Sequence, residues 1–257
     1  MKTNRQIDIM GIVNVTDDSY FAESRCSDTD AVLRRVSRMV EDGVDIVDIG
    51  ACSSRPGSVP VGAEEEWRRL APVLPAVREA FPDLRISVDT YWSSVVSRTY
   101  DAIGDFIVND ISAGDDDPAM LSLVGSLGLE YVAMHKRPDR KLIPYFKDFA
   151  SKADEYGVKD WILDPGFGFA KTVEQNYEVL SGLPDIIGAL RDASPRILIG
   201  ISRKSMIYKP LGITPEEALP ATQAVHMAAL MAGADILRVH DVREARQTAA
   251  LYNLLNS

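Results

Sequence analysis

The chain has 257 residues, 46% hydrophobic and 26% charged, with a formal net charge of −10. This composition supports a large packed core, and the acidic balance excludes a protein whose main task is coating nucleic acid, because phosphate neutralisation needs a basic face. Cys26 and Cys52 form no C-x-x-C pair, the stretch Met1–Asp8 is polar, and no apolar run approaches the roughly 18 residues of a membrane span, so a cytoplasmic location without a membrane partner is expected.

Short apolar, β-branched runs alternate along the chain with longer stretches of helical spacing. Ile7–Val15 is the first strand candidate and Asp28–Glu41 the first helix. Val44–Ile49 then precedes Glu64–Glu79, Arg85–Val88 precedes Trp92–Ala102, and Asp105–Val108 precedes Pro118–Ser126. Glu130–Met134 is followed by Tyr145–Tyr156, Asp160–Leu163 by Thr172–Arg191, Arg196–Ile201 by Pro215–Met231, and Asp235–Val239 by Val242–Leu255. Most strand candidates are nearly continuous in Val, Ile and Leu, as parallel strands buried on both faces require. Thr214, Pro215 and Glu217 mark one helix start by cap, first-turn proline and capping box. Eight alternations in a chain of about the usual barrel length predict a single (β/α)8 TIM barrel spanning residues 1–257. An open doubly wound sheet is the runner-up, but no G-x-G-x-x-G follows the first strand.

In such a barrel the chemistry sits at the C-terminal strand ends. The residues there are Asn14, Asp48, Asp89 with Thr90, Asn109 with Asp110, His135, Asp164, Ser202-Arg203-Lys204-Ser205, and Arg238 with His240. Any one of them alone reads as a cap or a loop residue, but their recurrence around one rim points to a site. Asp89 and Asp164 can accept hydrogen bonds from a donor-rich heterocycle, whereas Arg55, Arg203, Lys204, Arg238 and His240 can hold an anion. Those two sets suggest a ligand with chemically different ends. Arg34, Arg69 and Lys152 read as solvated surface cations, Gly166 and Gly168 as turn residues, Asp48 as a brace for the second strand end, and His226 as a packing or surface residue. His135 stands at a strand end, which favours the site, on a short signal. Cys52 lacks a paired base and reads as a small filler rather than a nucleophile.

Seven segments carry a family resemblance. Gly11-Ile-Val-Asn-Val-Thr16, Asp48-Ile-Gly-Ala-Cys-Ser-Ser-Arg-Pro-Gly57, Ser87-Val-Asp-Thr90 and Val108-Asn-Asp-Ile-Ser-Ala-Gly114 are followed by Leu163-Asp-Pro-Gly-Phe-Gly-Phe-Ala-Lys171, Ile201-Ser-Arg-Lys-Ser205 and Arg238-Val-His-Asp-Val242. In that order they resemble the signature segments of the dihydropteroate synthases. The resemblance implies attack by the amine of p-aminobenzoate on the methylene of 6-hydroxymethyl-7,8-dihydropterin pyrophosphate, with pyrophosphate leaving as its magnesium complex and no covalent enzyme nucleophile. It implies that Asp89, Asn109, Asp164 and Lys204 hold the pterin, with Asp164 as bidentate partner, and that Asp89, Asp164 and Lys204 carry the catalysis. Asn14 would place magnesium (Mg2+) and the diphosphate, while Ser54, Arg55, Arg238 and His240 would hold phosphate oxygens. Phe169 and Ser205 would border p-aminobenzoate, with Lys171 close by. The family generally forms homodimers through barrel helices, and the small residues Ala218, Ala221, Ala224, Ala228, Ala229 and Ala232 are compatible with close helix packing.

The chain departs from the family pattern at two loops. The usual Thr-Pro-Asp-Ser-Phe-Ser-Asp-Gly-Gly is here Thr16-Asp17-Asp18-Ser19-Tyr20-Phe21-Ala22-Glu23-Ser24, and the segment after the fifth strand is shortened, Met134-His-Lys-Arg137 leading through Pro138 to Tyr145. Ser54 stands where threonine is usual and keeps the hydroxyl. Two alternatives accompany the synthase reading. A pterin-binding methyltransferase would share the clamp, but Arg55, Lys204 and Arg238-Val-His240 suit a diphosphate leaving group better. A pterin-binding paralogue without turnover would follow if the altered first loop had lost its role.

Overall fold

The strands are β1 (Asp8–Asn14), β2 (Ile46–Gly50), β3 (Arg85–Asp89), β4 (Ile107–Asp110), β5 (Glu130–Met134), β6 (Trp161–Asp164), β7 (Arg196–Ile199) and β8 (Ile236–Val239). They pair in parallel and in chain order, and β8 returns to β1, so the sheet closes into the expected (β/α)8 barrel. The computed structural model describes residues 6–15, 29–51, 61–137, 139–190, 193 and 195–256.

Side chains alternate between two surroundings along each strand, as a period of two requires. Ile9, Val13, Val47, Ile49, Ile86 and Val88 join the core between sheet and helices. Met10, Ile46, Ile107, Val132, Ile162, Leu198 and Ile236 form a separate cluster, the apolar filling of the lumen. The register sorts the inward residues into layers drawn from alternate strands. The odd strands open with Asp8, Arg85, Glu130 and Arg196, which make a charged floor. Arg85 Nη1 donates to Asp8 at 3.0 Å and its Nη2 to Glu130 at 2.5 Å, while Arg196 Nη2 donates to Asp8 at 2.9 Å. Ile46, Ile107, Ile162 and Ile236 of the even strands lie above it, pairing in register with the odd-strand residues on either side. Met10, Ser87, Val132 and Leu198 come next. The following even-strand layer is Asp48, Asn109, Asp164 and Arg238, and it is entirely polar.

The helices are α1 (Thr29–Glu41), α2 (Ala63–Leu70), α3 (Val73–Ala80), α4 (Ser93–Ile103), α5 (Met120–Leu127), α6 (Leu142–Tyr156), α7 (Val173–Ser181), α8 (Leu183–Ala189), α9 (Ser205–Leu211), α10 (Leu219–Ala232) and α11 (Val242–Asn256). Three sequence expectations change. The helix expected over Glu64–Glu79 is two, because Pro72 has no N–H with which to continue the ladder. The helix expected over Thr172–Arg191 breaks at Gly182, with Pro184 in the first turn of α8. The helix expected from Pro215 starts at Leu219. Thr214 and Glu217 do cap each other's backbone N–H as foreseen, but Pro220 cannot donate to Glu216 and the Glu216 carbonyl accepts from Arg203 instead. Helix α9 escaped the sequence reading because Pro210 near its end disguises a seven-residue element, closed by Gly212 at φ 65°. Among the described residues no helix is long and apolar enough to cross a membrane.

The floor is remote from the C-terminal rim, so its role is stability. Asp8 is almost fully buried between two arginines. Asp8→Ala leaves those cations facing each other and is expected to cost about 2–4 kcal/mol in denaturant unfolding. The folded fraction should keep its ligand affinity.

Candidate active site

The polar layer is organised by Asp48. Its fully buried carboxylate accepts from Ser87 Oγ at 2.6 Å, Asn109 Nδ2 at 3.1 Å and Arg238 Nε at 2.7 Å. Asn109 thereby commits its amide nitrogen to Asp48, which leaves its oxygen as the acceptor for the lumen mouth. Arg238 Nη2 also donates to Asp89 Oδ2 at 2.9 Å, tying β8 to β2 and β3. Burial disfavours the Arg238 charge, but Asp48 and Asp89 outweigh it and hold the guanidinium above its ordinary pKa. Burial raises the Asp89 carboxyl above its usual range, against the pull of Arg238, and Asp48, Asp110 and Asp164 raise it further.

Asp164 ends β6 on the same layer. Burial raises its pKa, opposed by the Gly166 N–H that donates to Oδ1 at 2.8 Å and by Lys204 and Arg238. Lys204 caps α9; its Nζ donates to the Phe167 carbonyl at 2.5 Å and stands 4.7 Å from the centroid of the Phe169 ring. Burial brings its pKa down to about 8, with Asp164 resisting. Phe169 is half-buried, and the half-buried Ser205 follows Lys204 in the chain as the first residue of α9. Asn14 ends β1 opposite Gly50, and Gly50 in turn faces Asp89, so Asn14, Gly50, Asp89 and Asn109 run across four strands in register. A Cβ on Gly50 would stand 3.2 Å from that of Asp89, so glycine keeps the space over the carboxylate open.

His240 follows Arg238 on the same face. Ser202 Oγ accepts the His240 backbone N–H at 3.2 Å and lies 3.1 Å from Nδ1, so the hydroxyl fixes both the backbone and the ring of His240. Burial lowers the ring pKa to about 3, with Asp241 opposing, which favours the neutral imidazole.

The assembled rim thus pairs the acceptors Asn109 and Asp164, both buried, and the partly buried Asp89 with the cations Arg238 and Lys204. A family model described as "Pterin binding enzyme" matches residues 10–240. The chain belongs to the pterin-binding enzyme family. It is similar to the dihydropteroate synthase of Clostridium beijerinckii, 35% identical with 96% of this chain and 93% of that protein covered, and to that of Bacillus subtilis, 36% identical with 96% and 88% covered. A solved structure of Xanthomonas albilineans dihydropteroate synthase with 4-aminobenzoic acid superposes with a TM-score of 0.87 at 32% identity, covering 99% of this chain and 94% of that one.

Not every strand-end residue of this pterin-binding chain faces the site. Arg203, expected to hold an anion, is a structural residue. It makes a two-pronged pair with Asp241 at 2.8 and 2.9 Å and donates to the carbonyls of Pro215 and Glu216. His135 follows the inward Met134 and therefore points outward, where it meets Tyr145 edge-on at 4.9 Å, and its Nε2 reaches the Arg140 carbonyl at 2.9 Å. Asp110 likewise turns away from the lumen and accepts from Ser112 N, Gly114 N and Tyr131 Oη. Asp48 is more than a brace, since three other site side chains or their supports converge on it. Gly166 is more than a turn residue: at φ 71°, a Cβ there would lie 2.1 Å from the His135 carbonyl. Arg69 is not a simple solvated cation, because its Nη1 holds the Ala51 carbonyl at the end of β2. His226 is fully buried, in keeping with packing. Ser54, Arg55, Cys52 and the altered first loop lie outside the described residues.

The sequence reading missed Glu66. Helix α2 buries it completely, and among the described residues neither carboxylate oxygen has a hydrogen-bond partner of good geometry. Burial raises its pKa from 4.5 to about 7; the Thr90 hydroxyl opposes this from outside hydrogen-bonding geometry, Asp89 adds to it, and Arg69 opposes it. The only sequence signal was a third glutamate where the helix turns inward. The folded protein holds this proton more tightly than the unfolded chain, so stability is lost as pH rises through the window from 4.5 to 7. Glu66→Gln is expected to stabilise the protein by on the order of 2–3 kcal/mol at pH 8 and to change little at pH 5. Equal effects in urea melts at both values would refute the protonated-acid assignment.

Proposed function

We propose that the chain is a dihydropteroate synthase, joining the amine of p-aminobenzoate to the methylene of a 6-hydroxymethyl-7,8-dihydropterin pyrophosphate and releasing pyrophosphate. The observation that carries this reading is the lumen layer that sets Asp164 and Asn109 beside Asp89 and Arg238, with Lys204 above. A pterin presents ring N–H and amino donors to carboxylates and ring acceptors to an ammonium, so Asp89, Asn109, Asp164 and Lys204 match its edge group by group. Arg238 and His240 are placed where negative charge gathers on the leaving diphosphate. Ser54 and Arg55 are assigned to the same anion. Phe169 and Ser205 border the p-aminobenzoate side, with Phe169 as an apolar wall that helps exclude water from a cation-like pterin.

Magnesium is assigned to Asn14. One amide oxygen suits a hard cation that takes its other ligands from substrate phosphates and water. When bound, the ion neutralises charge on the departing diphosphate. The protein's own work is to clamp the pterin, orient the attacking amine and keep the rim dry. We place the enzyme in the cytoplasm, consistent with two cysteines and no C-x-x-C pair. A homodimer is supported by the exposed Met231 of α10 with Leu251 and Leu255 of the adjacent α11, and by exposed Ala224 and Ala228. Sedimentation equilibrium tests this, and a monomer mass at micromolar concentration would remove the dimer. A methyltransferase is disfavoured because its methyl donor gives Arg238 and His240 no anion to hold.

The deciding assay is pyrophosphate release with pterin pyrophosphate, magnesium and p-aminobenzoate. Release should depend on p-aminobenzoate, equal dihydropteroate formed, and fall by about 100-fold or more in Asp164→Asn and Lys204→Ala. Pterin binding without dihydropteroate would replace the synthase with the non-catalytic paralogue.

A further inference from the structure

The segment after β6, residues 165–171, carries one charged group that the clamp does not use. Lys171 is partly buried, and its Nζ donates to the Gly166 carbonyl at 2.9 Å, the His135 carbonyl at 3.3 Å and the Phe169 carbonyl at 3.4 Å. Three residues with positive φ, Gly166 at 71°, Gly168 at 80° and Ala170 at 49°, fold the segment back on itself. Ammonium groups offer three donors, and here all three are spent on backbone oxygens. Burial pulls the Lys171 pKa below its ordinary value and Asp164 opposes it.

The two ends of this segment are held differently. Asp164 belongs to β6 and is additionally fixed by the Gly166 N–H. Asn176 Oδ1 accepts the Gly168 N–H at 2.7 Å, and Lys204 takes the Phe167 carbonyl. Phe169 lies beyond these anchors. Its backbone is held through its carbonyl by Lys171 and through its N–H to Gly166 at 3.3 Å. The His135 contact also joins the segment to the shortened connection after β5. Loss of the ammonium therefore loosens Phe169 while Asp164 keeps its strand.

We propose that Lys171 is a positioning residue for the synthase reaction, gathering the His135, Gly166 and Phe169 carbonyls so that the Phe169 wall stands at a set distance from the Asp164 clamp and aligns p-aminobenzoate with the pterin methylene. This rests on the site assignment above. Lys171 touches neither substrate, and it acts through Phe169.

The test is steady-state kinetics of full-length Lys171→Met and Lys171→Arg, each substrate varied in turn, with melting temperature and pterin binding measured alongside. In Lys171→Met, KM for p-aminobenzoate should rise at least about tenfold and kcat fall, while KM for the pterin pyrophosphate stays within about twofold. Lys171→Arg, which keeps charge and donors, should recover most of the loss. An unchanged KM for p-aminobenzoate in folded Lys171→Met overturns the proposal. So does a parallel loss for both substrates with a lowered melting temperature and no rescue, which makes Lys171 merely structural. If Lys171→Met does not fold, Lys171→Gln, with donors but no charge, carries the same reading. Unmodified protein that forms no dihydropteroate overturns the synthase assignment itself, and the proposal with it.

Discussion

A closed parallel barrel has no edge, so every strand must send each second side chain into a lumen that the sheet seals from water. The layers of this protein follow from that constraint. Ile46, Ile107, Ile162 and Ile236 fill one level from four alternate strands, and the same strands return two residues later with Asp48, Asn109, Asp164 and Arg238. Polar groups at that depth need partners. Asp48 supplies them by accepting from Ser87, Asn109 and Arg238, and Arg238 passes the connection on to Asp89. An unpaired charge in this position would cost several kcal/mol, so the site is held together by the same bonds that make its burial tolerable.

The two ends of the lumen answer this need in different ways. The floor matches two arginines to two carboxylates and leaves nothing to bind. The rim sets the carboxylates of Asp48, Asp89 and Asp164 against Arg238 and Lys204, with acceptors on one side and cations on the other. Burial pushes Asp89 and Asp164 upward and Lys204 downward, so each of these groups gains from a ligand that supplies the missing charge or hydrogen bond. A pterin edge joined to a diphosphate has that polarity. Floor and rim therefore divide stability from chemistry within one lumen.

Loops add what regular strands cannot. The segment 165–171 brings the Phe169 ring to within 4.7 Å of the Lys204 ammonium by three positive-φ residues and the carbonyl contacts of Lys171. Its close approach to the end of the neighbouring β5 depends on Gly166, where any side chain would strike the His135 carbonyl. The shortened connection after β5 is drawn to this segment by Lys171 and packed by Tyr145 and Phe146 against His135. It is braced on both sides, and Asp164 keeps its own bond to the Gly166 N–H beside it.

Eight strands, their parallel character and the place of Asp89, Asn109 and Asp164 at the strand ends on one rim were legible in the sequence, because apolar runs of strand length are a local property and the polar residue ending each run breaks the pattern visibly. Helix boundaries were less so. Pro72, Gly182 and Pro220 interrupt periodicity that otherwise reads as continuous. The sequence by itself determined which residues could reach the rim, since closure of eight βα units puts all strand ends on one face. Only the tertiary structure decided which side of the sheet each of them takes. A period of two sends Asp89, Arg238 and His240 inward but His135 and Asp110 outward, and partners distant in the chain decide the rest: Asp241 takes Arg203 out of the site, Asp48 becomes its centre, and Glu66 is buried near Asp89 with no good hydrogen-bond partner among the described residues. Those outcomes depend on contacts between residues far apart in sequence, to which composition and spacing are blind.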